Sequence, residues 1–347
     1  RRHKLISKMN AFQVLKSGAS FRRKNHEKAK GMFAGKSINE EEENGEEIKH
    51  DRQKKRKLSS DIVEIKQIQD LKSQIEENNN LEEADRKKLK LRLLEKEKQK
   101  INEMRKLHKI KVEGDKVPEM KLSYKDMNNK GLIGDYMFEN LDKVGFAQPT
   151  SIQMQAIPTF LKRRDLFAIA PTGSGKTLSY LLPLITLLGD SSKEGIRGII
   201  VAPTRELAQQ IYNQFLLFNE NNPGKIVGKM LTKATMPSSE NDVAQFSTFD
   251  LLIATPLRLV HLVETNKIKL DTVKYLVLDE ADKLFELGFV EQLDEIISHC
   301  THKNIMKAMF SATLLPAIES LARSIMKDPV KISVGIKNTA VSNVKQE

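Results

Sequence analysis

The sequence has 347 residues, 39% of them hydrophobic, and a formal net charge of +12. That is enough apolar material for one large or two modest domains, while a lone cysteine, Cys300, excludes a disulfide framework and a cysteine-based zinc site. No apolar run approaches the roughly 18–20 residues of a membrane span and no signal-peptide core opens the chain, so a soluble, intracellular protein with no membrane partner is expected.

The charge is uneven. Lys and Arg outnumber Asp and Glu by 32 to 22 over residues 1–120, but only by 26 to 24 over the rest. Residues 1–60 are poor in aromatics and mix charges, with an acidic run Glu40–Glu43 and a basic cluster Lys54–Lys57, a composition that predicts disorder. The cluster reads as a nuclear-import signal or as an ordinary short basic run. The basic surplus suits a polyanionic partner such as RNA, the alternative being a solvated tail. Residues 61–117 form a charged helical segment by pattern. Ser60 and Asp61 offer N-caps, Asn78–Asn80 break the run, and from about Leu81 a second helix carries Leu94, Ile101, Met104 and Leu107 on one narrow stripe.

After Pro118 the texture changes. Apolar runs at 166–170, 198–202, 225–231, 250–254, 275–278, 307–310 and 330–334 alternate with helical stretches at 152–161, 176–188, 206–219, 256–264, 290–299 and 316–326. Short buried runs each followed by a helix predict an α/β domain over residues 118–335, a parallel β-sheet flanked by helices.

The first run leads into Ala170-Pro171-Thr172-Gly173-Ser174-Gly175-Lys176-Thr177 and then a helix. Glycines let backbone N–H groups close around phosphate oxygens, and the helix N-terminus adds positive potential. In that context Lys176 reaches the β and γ phosphates of a nucleotide and Thr177 offers its hydroxyl to Mg²⁺. A hundred residues on, Val277-Leu278 runs into Asp279-Glu280-Ala281-Asp282. Carboxylates at the carboxyl end of a buried strand lie where open α/β sheets bind ligands. Asp279 is expected to hold Mg²⁺ and Glu280 to orient and deprotonate a water, with both roles met just past the strand end.

With Asp-Glu-Ala-Asp spelled out behind a phosphate loop, the sequence from about Ser123 resembles the DEAD-box RNA helicases. The resemblance implies a RecA-like P-loop fold, ATP and Mg²⁺ as cofactors, and RNA-stimulated ATP hydrolysis with Lys176, Asp279 and Glu280 as catalytic residues. Gly145-Phe146 through Ile152-Gln153 resembles the family's adenine-reading segment, which implies nucleotide binding by Phe146 and a paired hydrogen bond from Gln153. Pro203-Thr204-Arg205 and Thr255-Pro256-Leu257-Arg258 resemble its RNA-backbone segments. Leu257 stands where the family has Gly, and the usual glycine pair is missing near Gly228. Ser311-Ala312-Thr313 resembles the segment that couples the nucleotide site to strand separation, implying hydrogen bonds to Asp282.

The start at Met9-Asn10-Ala11-Phe12-Gln13, together with Asp282-Lys283-Leu284-Phe285-Glu286 and Gly335–Val341, is similar to the Rok-type helicases of small-subunit ribosome assembly. That likeness implies nucleolar work on pre-rRNA or snoRNA duplexes, alongside a ribosome-assembly protein cofactor. Residues 336–347 read as the start of a linker to the family's second RecA-like domain, which bears its catalytic arginines. An RNA or protein clamp timed by ATP is the competing reading.

Overall fold

A computed structural model describes residues 83–192, 194–232 and 248–335. The expectations for 1–60, for the first half of the helical segment and for 336–347 lie outside the described residues. Chain order runs α1 (Glu83–Leu107), β1 (Ile110–Glu113), α2 (Tyr124–Asn129), α3 (Asp135–Val144), α4 (Ser151–Leu161), β2 (Leu166–Ile169), α5 (Lys176–Leu188), β3 (Gly198–Val201) and α6 (Arg205–Phe218). It continues through β4 (Gly228–Met230), β5 (Leu251–Ala254), α7 (Pro256–Glu264), β6 (Tyr275–Leu278), α8 (Ala281–Glu286), α9 (Val290–His299), β7 (Met306–Ser311), α10 (Pro316–Ile325) and β8 (Val330–Val334).

The strands build one eight-stranded sheet in the order β1-β8-β2-β7-β6-β3-β5-β4. Every pairing is parallel except β1 with β8. Successive strand residues face opposite sides, which is why four-residue apolar runs without alternation are buried throughout. In β3, Ile200 enters one core with helices α4, α5 and α6, while Ile199 and Val201 enter the other with α7, α9 and α10. Each fully buried aliphatic or aromatic side chain contributes about 1.5–3 kcal/mol, so the two cores hold the sheet from both faces.

Over residues 118–335 every strand pairing is parallel, as expected. The expectation that needs correction lies ahead of that range, where the helical segment does not extend to residue 117. Ile110–Glu113 pairs antiparallel with β8, Ile110 opposite Val334 and Glu113 opposite Lys331. The left-handed Lys109 (φ 54°) turns the chain from the end of α1 into β1. The compact unit therefore begins at Leu94, inside α1. The stripe on α1 is half used: Ile101 and Met104 pack on the core, while Leu94 and Leu107 stay exposed. Arg105 ties the helix down through bonds to Gln155 Oε1 (2.9 Å) and Pro118 O (3.2 Å). Strand β4 forms over three of the seven residues expected of it. Among the described residues it lies at the sheet edge, paired with β5 alone.

Candidate active site

Strands β2, β3, β5, β6 and β7 are parallel, so the segments that follow them share one edge of the sheet. Ala170 leaves β2 with its N–H donating to Ser311 O (3.1 Å). Pro171, Thr172, Gly173 and Ser174 then turn outward, and Gly173 (φ 73°) and Gly175 (φ 90°) take left-handed conformations before α5. At Gly175 a Cβ would collide with Gln153 Nε2 and press on Thr150 Oγ1, so glycine is required there by packing as well as by conformation. Lys176 is buried, and its Nζ donates to Ala170 O (2.7 Å) and Pro171 O (3.1 Å). Burial pushes its pKa down, and the Asp279 carboxylate opposes that. Ser174 Oγ is buried with no hydrogen-bond partner.

The acidic segment turns sharply. Asp279 leaves β6 almost wholly buried, and Glu280 sits at φ 46°, ψ 55°, a left-handed conformation that costs a non-glycine residue about 1–3 kcal/mol. The cost is offset locally, because Glu280 N–H donates to Asp279 Oδ1 (2.9 Å). Asp279 Oδ2 accepts from the Tyr180 hydroxyl (2.7 Å). Burial raises the Asp279 pKa to about 6 against the opposing pull of these two donors. Tyr180 comes from α5, with Thr177 beside its hydroxyl. The two residues expected to meet Mg²⁺ thus converge on one phenol. The Glu280 carboxylate pairs with Lys283 Nζ (2.6 Å).

Asp282 faces the segment after β7. Its Oδ2 accepts from Ala312 N (3.1 Å), Thr313 N (3.0 Å) and Thr313 Oγ1 (3.1 Å), and Ser311 Oγ donates to Thr313 O (2.7 Å). Strand β7 lies between β2 and β6, which is what brings these segments within one bond of each other.

Gln153 is buried at the first turn of α4, against the phosphate loop. Its Oε1 accepts from Tyr124 OH (2.6 Å) and Thr150 N (2.9 Å), and its Nε2 donates to Gly175 O (3.1 Å). Both lone pairs of the amide oxygen are therefore engaged, so a paired bond to adenine requires one protein donor to yield. Tyr124 was not legible as a site residue. Thr150 and Gln153 form a capping box at the start of α4, which the sequence reading did not include. Phe146 is partly exposed and stacks on Phe218, centroids 6.4 Å apart.

Pro203, Thr204 and Arg205 follow β3, and Thr255, Pro256 and Arg258 follow the neighbouring β5. Thr204 caps α6 by accepting from Leu207 N (3.2 Å), and Pro256 opens α7. Arg205 is exposed and Arg258 half-buried, so two helix N-termini and two guanidinium groups lie on adjacent strands. Leu257 is 58% exposed.

An unpartnered hydroxyl, a lysine resting on loop carbonyls and a helix N-terminus fit a polyphosphate. Among the described residues no group of three or more His, Cys, Asp or Glu could hold a metal ion. Thr177 and Asp279 alone would hold Mg²⁺, consistent with an ion that usually takes few protein ligands and completes its shell from phosphate and water.

Residues 150–321 match the family model described as DEAD/DEAH box helicase. The chain is 42% identical over 253 residues to the probable ATP-dependent RNA helicase ddx52 of Dictyostelium discoideum, covering 73% of this chain and 37% of that protein. It is 45% identical over 246 residues to the ATP-dependent RNA helicase ROK1 of Lodderomyces elongisporus, covering 70% and 44%. The chain thus spans less than half the length of both curated relatives. Among solved structures it is similar to the yeast DEAD-box splicing factor Prp28 (TM-score 0.63, 28% identity, 70% of this chain and 57% of that one). A DEAD box protein from Methanococcus jannaschii gives TM-score 0.56 at 30% identity, over 62% of this chain and 57% of that one.

Proposed function

Residues 150–321 place this chain in the DEAD/DEAH box helicase family, and on that premise we propose that it is the ATP-binding module of an ATP-dependent RNA helicase acting on pre-ribosomal RNA in the nucleolus. The observation that carries the reading is the direct bonding of three motifs at one sheet edge. Ala170 N donates to Ser311 O, Asp282 accepts from Ala312 and Thr313, and Tyr180 joins the phosphate-loop helix to Asp279. A nucleotide state felt at the loop is passed to the segment after β7 through the main-chain bond from Ala170 to Ser311 and through the side chains of Tyr180 and Asp282.

The residues divide the work. Ala170 to Thr177, with Lys176, cradle the phosphates, while Gln153 and Phe146 stand at the adenine end. Mg²⁺, bound through Thr177 and Asp279, would neutralise phosphate charge. Glu280 is the base that orients the attacking water and takes its proton. Thr204, Arg205, Thr255 and Arg258 form an RNA-backbone track, each loop opening a helix whose free N–H groups suit phosphate oxygens. The pre-ribosomal substrate and a ribosome-assembly cofactor rest on the likeness of Met9–Gln13 and Asp282–Glu286 to Rok-type helicases. A second RecA-like domain would complete the ATP site.

Strand displacement by the complete protein tests this reading. ATP-dependent separation of a short RNA duplex, abolished by Glu280→Gln, is the expected result. ATP-timed release from RNA with the duplex left intact would replace the helicase with a clamp.

A further inference from the structure

We propose a second RNA-backbone site at the opposite, amino-terminal edge of the sheet. A cavity of about 930 Å³ opens there, where the chain enters β2, β3, β6, β7 and β8. The four-residue strands β2, β3 and β6 separate it from the nucleotide edge by roughly 13 Å at ~3.3 Å per residue.

The cavity is strongly basic. Arg163, Arg164, Arg197, Lys274, Lys303, Lys307 and Lys327 line it, against only Asp165 and Asp328. In a segment where 26 basic residues face 24 acidic ones, such a concentration is not the average surface. Three of the cations are spoken for: Arg164 pairs with Asp328 (2.9 Å), Arg197 with Asp250 (2.6 Å), and Lys274 with Glu194 (3.6 Å). Among the described residues, the side chains of Arg163, Lys303, Lys307 and Lys327 form no ion pair or hydrogen bond.

Asp165 explains why two of these lysines stand unpaired together. Its buried carboxylate accepts from the backbone N–H of Lys307 (2.9 Å) and of Lys327 (2.7 Å). It pins the entries to β7 and β8 side by side through the main chain and leaves both ammonium groups without a hydrogen-bonded partner. Asp165 also attracts the Lys307 ammonium, and Arg163, Lys303 and Lys327 add a cluster of cations without ion-pair partners among the described residues, which favours a polyanion.

RNA phosphodiester suits the lining better than an acidic protein does. Protein interfaces centre on buried aromatic or aliphatic anchors, and none of the apolar residues here, Leu187, Tyr275, Ile305 and Met306, is an exposed large hydrophobe. The inference rests on the RNA-helicase reading only for the identity of the polyanion. The site holds flanking RNA and takes no part in the nucleotide chemistry.

The test is an RNA-binding titration of the full chain across salt concentrations, using a fluorescent single-stranded oligonucleotide. Lys303→Glu with Lys327→Glu changes two exposed, unpaired positions. Loss of two phosphate contacts should flatten the salt slope by roughly 1.4 and weaken binding about tenfold near 0.1 M salt. Affinity for a fluorescent ATP analogue should not change. Lys125→Glu with Lys143→Glu, equal in charge and outside the cavity, should leave RNA affinity within about twofold. RNA binding by the unsubstituted chain that survives K303E/K327E overturns this site alone, as does an equal loss in both double variants. Selective loss of poly-glutamate binding with RNA binding intact would make the cavity an acidic-peptide site and overturn the proposal. No RNA binding by the unsubstituted chain would remove the RNA reading and this site together.

Discussion

The hydroxyl of Tyr180 donates a 2.7 Å hydrogen bond to Oδ2 of Asp279, joining two buried side chains 99 positions apart. The phenol reaches the acidic motif from the helix that the phosphate loop opens, with its ring against Phe310 at 5.0 Å. Tyr180→Phe keeps the ring and deletes the bond. Hydrogen bonds to charged groups are worth about 1.5–3 kcal/mol, so Mg²⁺-dependent ATP affinity should fall roughly tenfold or more. The pH at which that affinity appears should move upward, because Asp279 loses a donor that favours its charged form. Binding titrations with and without Mg²⁺ check this. An unchanged pH midpoint would show that Tyr180 only fills space.

Asp279 also makes stability depend on pH. Its folded pKa of about 6 lies above the ordinary 3.8 because burial disfavours the charged form. Between those values the folded chain holds more protons than the unfolded chain, so its contribution to stability is greatest below about pH 4 and is lost as pH rises through 6. Asp279→Asn should flatten this component. Urea unfolding of both proteins from about pH 4 to 7 measures it, and parallel curves would contradict the assignment.

Gln153→Ala should weaken ATP binding and relax the preference over GTP, since a site built to hydrogen-bond loses discrimination when its partner is removed. It also cuts the bonds to Tyr124, Thr150 and Gly175. Tyr124→Phe separates the two effects: it frees one lone pair of the amide oxygen while keeping the side chain that reads the base. Selectivity retained in Tyr124→Phe but lost in Gln153→Ala is the expected pattern in a nucleotide competition assay.

Much of this architecture was legible because motif and strand end coincide. The runs 275–278 and 330–334 form as read, since uninterrupted apolar residues ending in a turn leave a buried strand as the simplest outcome. Strand β1 was not legible. Ile-Lys-Val-Glu offers only two apolar residues in a basic context, and its pairing with β8 depends on residues more than 200 positions away. Tyr124 and Tyr180 escaped for a similar reason. Each looks like an ordinary core aromatic, and only the fold brings its hydroxyl to Gln153 or Asp279.

The corrected boundary carries its own prediction. Removing residues 1–93 should leave the sheet intact and change unfolding free energy by no more than about 0.5 kcal/mol. Removing 1–115 deletes β1, the packing of Ile101 and Met104, and the Arg105 bonds, and should cost several kcal/mol. RNA affinity and its salt slope should fall in both truncations, because the basic surplus of the N-terminal third is reduced in each. Equal stability of the two would place the boundary back near residue 118.

Steady-state phosphate release by this chain should be nearly absent. Lys176, Thr177, Asp279 and Glu280 position the reactants, but no arginine after Ser311 approaches the phosphate loop: Arg323 is exposed and pairs with Glu319. An arginine finger accounts for about 10³–10⁵ in rate in related phosphoryl transfers, or about 4–7 kcal/mol. RNA-stimulated turnover at the rate of the complete protein would show that the charge is supplied from within this chain.

The bonds among the motifs form a circuit with no free end. From Ala170 the path crosses to Ser311, runs to Thr313, passes to Asp282, follows the chain back to Asp279, and returns through Tyr180 to the helix that the loop begins. In an open series a single cut isolates one part from another; in a closed one, every pair of stations keeps a second route. The motifs therefore behave as a hoop, not as a wire. Cutting Thr313 from Asp282, or Tyr180 from Asp279, should slacken the assembly while leaving it joined. With both cut, Asp282 is held to the segment after β7 through Ala312 N, so the loss should exceed the sum of the separate losses.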